Sequence, residues 1–420
     1  MKALVTICRI VVGLLFIFSG LVKANDPLGL GYKMQEFFEI WNTSLAGGSF
    51  FLKTPLISLF DLLHEHSLFL AVVMIAFEII AGAALLLGWQ MKLFSWLLLL
   101  LIIFFTFLTG YAYLSGKFKN CGCFGDCIPI TPLTSFGKDV ILTILIVFLF
   151  VKRRLIKPIF PSRLTTVLML LVTFLSLIIQ WYVLNYLPVF DCLAYKKGKN
   201  IQEQMKMPAN AIPGSTVITF VYSKGGKQLE FTADKFPADF DSTYTFVSRY
   251  DKVVRKGVNN EPPIKGFVLN GLSDQDSTNI VLEQPFAVLL YIDNFDVPFR
   301  KWEKDLTEVK NAAKEKGIPV YIITSRMQDV ITKLKGTALG DIQLFKSDNT
   351  AIRTAARTSP CIYLIAKGTI LDKWSYLRAG AAVKRIKTVV IENSGIKEPA
   401  VIDSSKIVPP VDTSANNKIK

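Results

Sequence analysis

Five long apolar runs in the first half of the chain constrain its fold before any motif is considered. They cover roughly 4–22, 68–88, 93–114, 137–151 and 164–187. A run of this kind crosses a hydrocarbon core as a helix, because a helix satisfies its own backbone hydrogen bonds where no water is present. The 420-residue chain is 51% hydrophobic, and this apolar content is concentrated before residue 190. The expectation is an all-α membrane bundle followed by a soluble α/β domain. The first run also has the length of a secretory leader, but no small-x-small cleavage site precedes Lys23 and Asn25, so it is read as a retained helix.

Basic residues set the expected sidedness. Lys152, Arg153, Arg154, Lys157 and Arg163 follow the fourth run, Lys2 and Arg9 lie at the N-terminus, and Lys92 lies between the second and third runs. All of these fall on one side of a five-span topology. If that side is cytoplasmic, residues 23–67, 115–136 and everything after 188 face outward. The expectation is a bacterial inner-membrane protein with a periplasmic C-terminal domain, in an oxidising compartment. The formal charge of +15 has no recognition motif with it; it suits anionic membrane lipid and gives no basis for nucleic-acid binding.

Half of the six cysteines lie in one outward loop, Cys121-Gly122-Cys123-Phe124-Gly125-Asp126-Cys127. Gly122 and Gly125 permit the tight turns that bring sulfurs together. A Cys121–Cys123 bond is strained by its spacing, so the expected pairs are Cys123 with Cys127 and Cys121 with Cys192, just beyond the fifth span. Such cysteines serve either as exchanging thiols or as static cross-links. Cys121, Cys123 and Cys127 are the candidate catalytic thiols and Cys192 the candidate disulfide partner. Lys117 and Lys119 favour a thiolate nearby, and Asp126 opposes it.

Glu78, in mid-span, is the fourth candidate catalytic residue, since an ionisable side chain there needs a partner or a proton. A structural ion pair with Arg9 is the alternative, and Lys23 is expected to snorkel to headgroups. His64 and His66 are the only histidines. Cys-x-Cys-x3-Cys is not a usual zinc spacing, so no metal is expected.

After Pro188 the pattern becomes mixed. Residues 216–222 and 228–231 read as a hairpin within a small β-rich segment, 191–257. Residues 258–396 read as strand 286–292, helix 299–316, strand 320–324, helix 327–335 and a closing hairpin, 361–365 with 370–376. This β-α-β-α-β-β order, with Ser359-Pro360 before the penultimate strand, resembles thioredoxin-like domains. The resemblance implies a dithiol after the first strand, but the chain reads Asp293-Asn294-Phe295-Asp296-Val297-Pro298 there. A binding role is therefore expected, with Phe295, Val297 and Pro360 lining the partner surface. Cys361 reads as a small buried hydrophobe, and residues 397–420 as a disordered tail.

The first 152 residues resemble the DoxX/MauE group of membrane proteins through Phe18-Ser19-Gly20-Leu21-Val22-Lys23, Asp26-Pro27-Leu28-Gly29, Glu78 and the cysteine cluster running into Ile128-Pro129. Residues 153–190, the cytoplasmic loop and fifth span, lie beyond that resemblance. Together with the C-terminal domain, the chain is similar to DoxX-domain proteins of Bacteroidetes. The resemblance implies redox and thiol chemistry, and for MauE a link to maturation of a disulfide-rich periplasmic subunit. The functional expectation is periplasmic thiol-disulfide exchange, with a membrane electron acceptor such as a quinone and a periplasmic protein client. The alternative is a non-enzymatic scaffold that docks a periplasmic partner.

Overall fold

A computed structural model of the chain describes residues 1–47, 52–118, 122, 125, 127, 128, 130–232, 234–255, 257 and 259–390. Among these are five helices long and apolar enough to cross a membrane. They are α1 (Lys2–Ala24), α4 (Ser67–Leu87), α5 (Met91–Ser115), α6 (Pro132–Val151) and α7 (Ser162–Tyr186). Each lies where an apolar run predicts it. Between α1 and α4, where the sequence suggests only a long loop, stand two further helices, α2 (Pro27–Ala46) and α3 (Lys53–Glu65). Asp26 starts α2 by accepting a hydrogen bond from the Gly29 N–H, with Pro27 at the first helical position.

Small residues set the tightest approach in the bundle. A Cβ on Gly82 would lie 2.8 Å from the Gly13 carbonyl oxygen, and one on Gly20 would lie 2.5 Å from Ile79 Cγ1. Helices α1 and α4 therefore touch backbone to backbone, as small residues allow in a membrane where burial alone does not drive association. A core of Val5, Val12, Phe16, Leu98, Ile102 and Ile146, among others, extends from this contact to α5 and α6.

The soluble half has two sheets. The first is three-stranded, with order β2-β1-β3: β1 (Ser215–Lys224), β2 (Lys227–Thr232) and β3 (Thr245–Arg255), all antiparallel. The hairpin read from sequence is β1–β2. Its partner β3 escaped that reading because charged residues interrupt its apolar alternation.

The short helices α8 (Ile201–Gln204) and α9 (Thr278–Leu282) flank the passage to the α/β domain. This domain runs β4 (Ala287–Tyr291), α10 (Glu303–Glu315), β5 (Val320–Thr324), α11 (Met327–Leu334), β6 (Gln343–Lys346), α12 (Asn349–Ala355), β7 (Cys361–Ala366), β8 (Thr369–Ser375) and α13 (Ala379–Lys387). The sheet order is β6-β5-β4-β7-β8, with β4, β5 and β6 parallel and β7 and β8 antiparallel. Side chains alternate across it as the strand period requires. Val288 and Leu290 face the core under α10 and α13, while Leu289 and Tyr291 face the core that receives Tyr195, Ile201 and Phe267. The sequence reading of six elements omitted β6, α12 and α13. Strand β6 is four residues long with one buried side chain, too short to show a period.

The α/β domain sits on the end of the bundle that carries the cysteine loop. Arg357, 5% exposed, donates from Nε to both Asp26 oxygens at 3.0 and 2.8 Å. Arg353 donates to Gln35 Oε1 at 3.1 Å and lies over the Tyr32 ring with Arg357. Arg378 reaches the Tyr182 hydroxyl on α7.

Candidate functional site

The close approach of α1 and α4 has a chemical consequence one turn beyond Gly20. Lys23 Nζ lies 2.7 and 3.0 Å from the two oxygens of Glu78, and the residues are 3% and 4% exposed. Two expectations are thereby corrected. Lys23 does not snorkel, and Glu78 is not paired with Arg9. Fourteen positions along α1 separate Arg9 from Lys23, about 21 Å at the helical rise. Arg9 instead meets the other end of α4, donating to the Leu85 and Leu86 carbonyls and to Lys157 O. There it complements the exposed carbonyls of a helix C-terminus. Lys23 also lies over the Phe105 ring at 4.6 Å.

Asp139, which the sequence reading passed over, is a second buried membrane carboxylate. It is 1% exposed, accepts from Thr109 Oγ1 at 3.0 Å and pairs with Lys138 at 2.8 Å. In sequence, Lys138-Asp139 resembles a charged flank of the fourth span, whereas α6 begins six residues before Lys138. Glu78, Lys23, Asp139 and Ser19 line one cavity of about 20 Å³, room for a single water.

The outer loop meets this region. Cys127 is bonded to Cys192, with Cα atoms 4.8 Å apart. This corrects both expected pairings, Cys123–Cys127 and Cys121–Cys192, because each needs a sulfur that this bond already uses. Local strain was the wrong guide: a long-range tether decides the pairing. Asn25 Nδ2 donates to Phe190 O at 2.8 Å and Asn25 Oδ1 accepts from Phe190 N at 2.9 Å. The end of α1 thus holds the segment leading to Cys192 beside Cys127, whose sulfur is 3.9 Å from Asn25 Nδ2. Gly122 and Gly125 both have positive φ, 69° and 57°, as expected. A Cβ on Gly122 would lie 3.1 Å from Lys33 Cγ, so Gly122 lies directly on α2. Gly122, Lys33, Lys23 and Thr109 line one cavity of about 30 Å³. Cys121, Cys123, Lys119 and Asp126 lie outside the described residues. Lys117 Nζ is 3.3 Å from Ser44 Oγ.

Residues 1–152 match the family described as Methylamine utilisation protein MauE. Residues 216–256, which take in nearly all of the three-stranded sheet, match a domain of unknown function, DUF8463. Over 54 residues the chain is 44% identical to Protein TlpB of Flavobacterium psychrophilum, a stretch that is 13% of this chain and 15% of that protein. The chain thus spans 15% of the length of that curated relative. The N-terminal third is MauE-like, and the protein is a membrane protein in contact with lipid.

The end of β4 carries no cysteine in residues 293–298. Asp293 Oδ1 accepts from Ser325 N and Oγ at 2.8 and 2.5 Å, and Ser359 Oγ accepts from the Asp293 and Asn294 N–H groups. The Ser359-Pro360 peptide is cis. Of the three expected partner-binding residues, Pro360 is buried, Phe295 stacks on Trp302, and the Val297 carbonyl accepts the Trp302 Nε1–H at 3.1 Å. Phe295 and Val297 are thus half-buried against the core beside Trp302. Phe295→Asp is expected to destabilise the α/β domain by about 2 kcal/mol, a typical cost of a charge placed in a core margin. Thermal unfolding of the full chain checks this, and an unchanged midpoint would return Phe295 to the open surface.

Cys361 is fully buried, and burial pushes its thiol up to about 12, which leaves it protonated and inert at neutral pH. His64 lies 3.0 Å from Glu39, and His66 Nδ1 is 3.1 Å from Leu62 O, so the two histidines do not converge.

Proposed function

We propose that the protein is a bacterial inner-membrane thiol-disulfide exchange protein whose loop cysteines face the periplasm and act on a periplasmic protein client. The observation that carries this reading is the shared cavity: Gly122 of the cysteine loop and Lys23 of the buried ion pair line the same space. Thiol chemistry and an intramembrane carboxylate are thus within reach of one another. Cys127–Cys192 ties the loop down, which leaves Cys121 and Cys123 as the exchanging pair. A Cys-x-Cys disulfide is strained by its spacing, and strained disulfides are the more oxidising and labile ones. In the exchange, a client thiolate attacks this disulfide and forms a mixed disulfide; the second client thiol resolves it. One client disulfide and two loop thiols result. Glu78 is proposed to take up a proton when the loop is reoxidised. The α/β domain is proposed to be thioredoxin-like without its dithiol, holding the bundle end through Arg357 and Asp26.

The absence of a thiol at the end of β4 also favours a second reading, a non-enzymatic scaffold. A Cys123→Ser variant, whose lone Cys121 thiolate attacks a client disulfide and releases one client thiol, is expected to hold clients as mixed disulfides, released by reductant and identified by mass spectrometry. Partners recovered without any covalent adduct would reject exchange and leave the scaffold.

A further inference from the structure

The largest cavity among those described in the membrane half has about 710 Å³ and lies between α2 and α3 on one side and α4 and α5 on the other. Its size is that of a site for an extended organic ligand. Leu56, Phe60 and Leu63, spaced to share one face of α3, form one wall. At its edge on the membrane-spanning α5 are Phe104 and Phe107, 38% and 57% exposed. Its mouth therefore faces lipid. Its inner end shares Met34, Phe37, Met74 and Leu108 with the small cavity at Lys23, Lys33, Thr109 and Gly122.

The geometry points to a lipoquinone as the occupant, with its isoprenoid tail in the apolar chamber and a ring carbonyl at the polar end beside the cysteine loop. A phospholipid suits the site poorly, because the polar end is a cavity of about 30 Å³, room for a group of carbonyl size and not for a charged headgroup. This assignment rests on the exchange reading above and supplies what that reading lacks, an electron acceptor. The step balances: the Cys121 and Cys123 thiols lose two electrons and two protons and form their S–S bond, and the quinone gains both and becomes quinol. Lys33, whose Nζ lies 2.7 Å from Glu36 Oε2, stands at that polar end, and the Lys23–Glu78 pair lies beside it on the route for the protons.

The test uses the full-length protein in nanodiscs, with menaquinone-4 as the probe. Wild type is expected to show saturable quenching of tryptophan emission, since Trp41 lines the chamber. Leu108→Trp and Leu63→Trp fill it from opposite walls and are expected to weaken binding at least tenfold. Leu59→Trp, at a site on α3 that is 44% exposed, should bind as wild type does. An azido-quinone should label peptides from α2 and α5 in the unmodified protein, a result that does not depend on any variant folding. Absence of saturable binding, equal affinity in both filled variants, or displacement by phosphatidylglycerol at equal concentration would overturn the assignment. Binding without client oxidation would leave the quinone site standing and remove the exchange reading; client trapping without quinone binding would do the reverse.

Discussion

Lys23→Met is expected to be the most damaging single change in the membrane half, costing about 3–5 kcal/mol, because it strands the Glu78 carboxylate in a site 4% exposed. The pair itself contributes little net stability, since desolvating two charges offsets their attraction. Removing both charges should therefore recover most of the loss. Lys23→Met combined with Glu78→Met is expected to unfold within a few degrees of wild type, measured by fluorescence-detected size exclusion after heating in detergent. If the single variant is as stable as wild type, the ion pair is not formed. The double variant then separates architecture from chemistry. A folded protein that no longer reoxidises its loop thiols assigns Glu78 a proton, whereas one with full turnover leaves the pair purely structural.

Those features of the fold that are one-dimensional were legible in the sequence. Membrane helices announce themselves through unbroken hydropathy, and each observed span lies within a few residues of its apolar run. Helices α2 and α3 did not, because their apolar residues are mixed with Lys33, Glu36, Glu39 and Asp61 at an interface where neither a membrane nor a soluble pattern is complete. The candidate site was legible as a list of residues but not as a set of contacts. Glu78 was visible as a charge in the wrong solvent, yet its partner depends on α1 and α4 meeting through Gly13, Gly20 and Gly82, which aligns position 23 with 78 and position 9 with 85. Asp139 was hidden by a helix start drawn too late. The α/β domain showed its strand and helix periods, but what holds it to the bundle, Arg357 against Asp26 across 331 positions, has no local signature.

Loss of the Cys127–Cys192 bond is expected to cost about 2–4 kcal/mol, the usual range for a cross-link that closes a long loop, here of sequence separation 65. The loop enclosed contains α6 and α7, which stay helical in a bilayer, so much of the effect should fall on the segment joining α7 to the α/β domain. Cys192→Ser should therefore lower the unfolding midpoint and expose the chain near 188–200 to protease, while Asn25 still holds Phe190 in the folded state. The same variant decides the pairing. With Cys192 removed, alkylation under denaturing, non-reducing conditions should place one new label on Cys127. A label on Cys121 instead would restore the pairing expected from local strain and would free Cys127 to serve as an exchanging thiol. Because Cys192→Ser leaves Cys121 unchanged, client trapping through Cys121 in a Cys123→Ser, Cys192→Ser double variant should persist at reduced protein yield. Loss of trapping with folded protein still present would mean that electrons pass through Cys127 and Cys192, and that this bond is a second redox pair, not a tether.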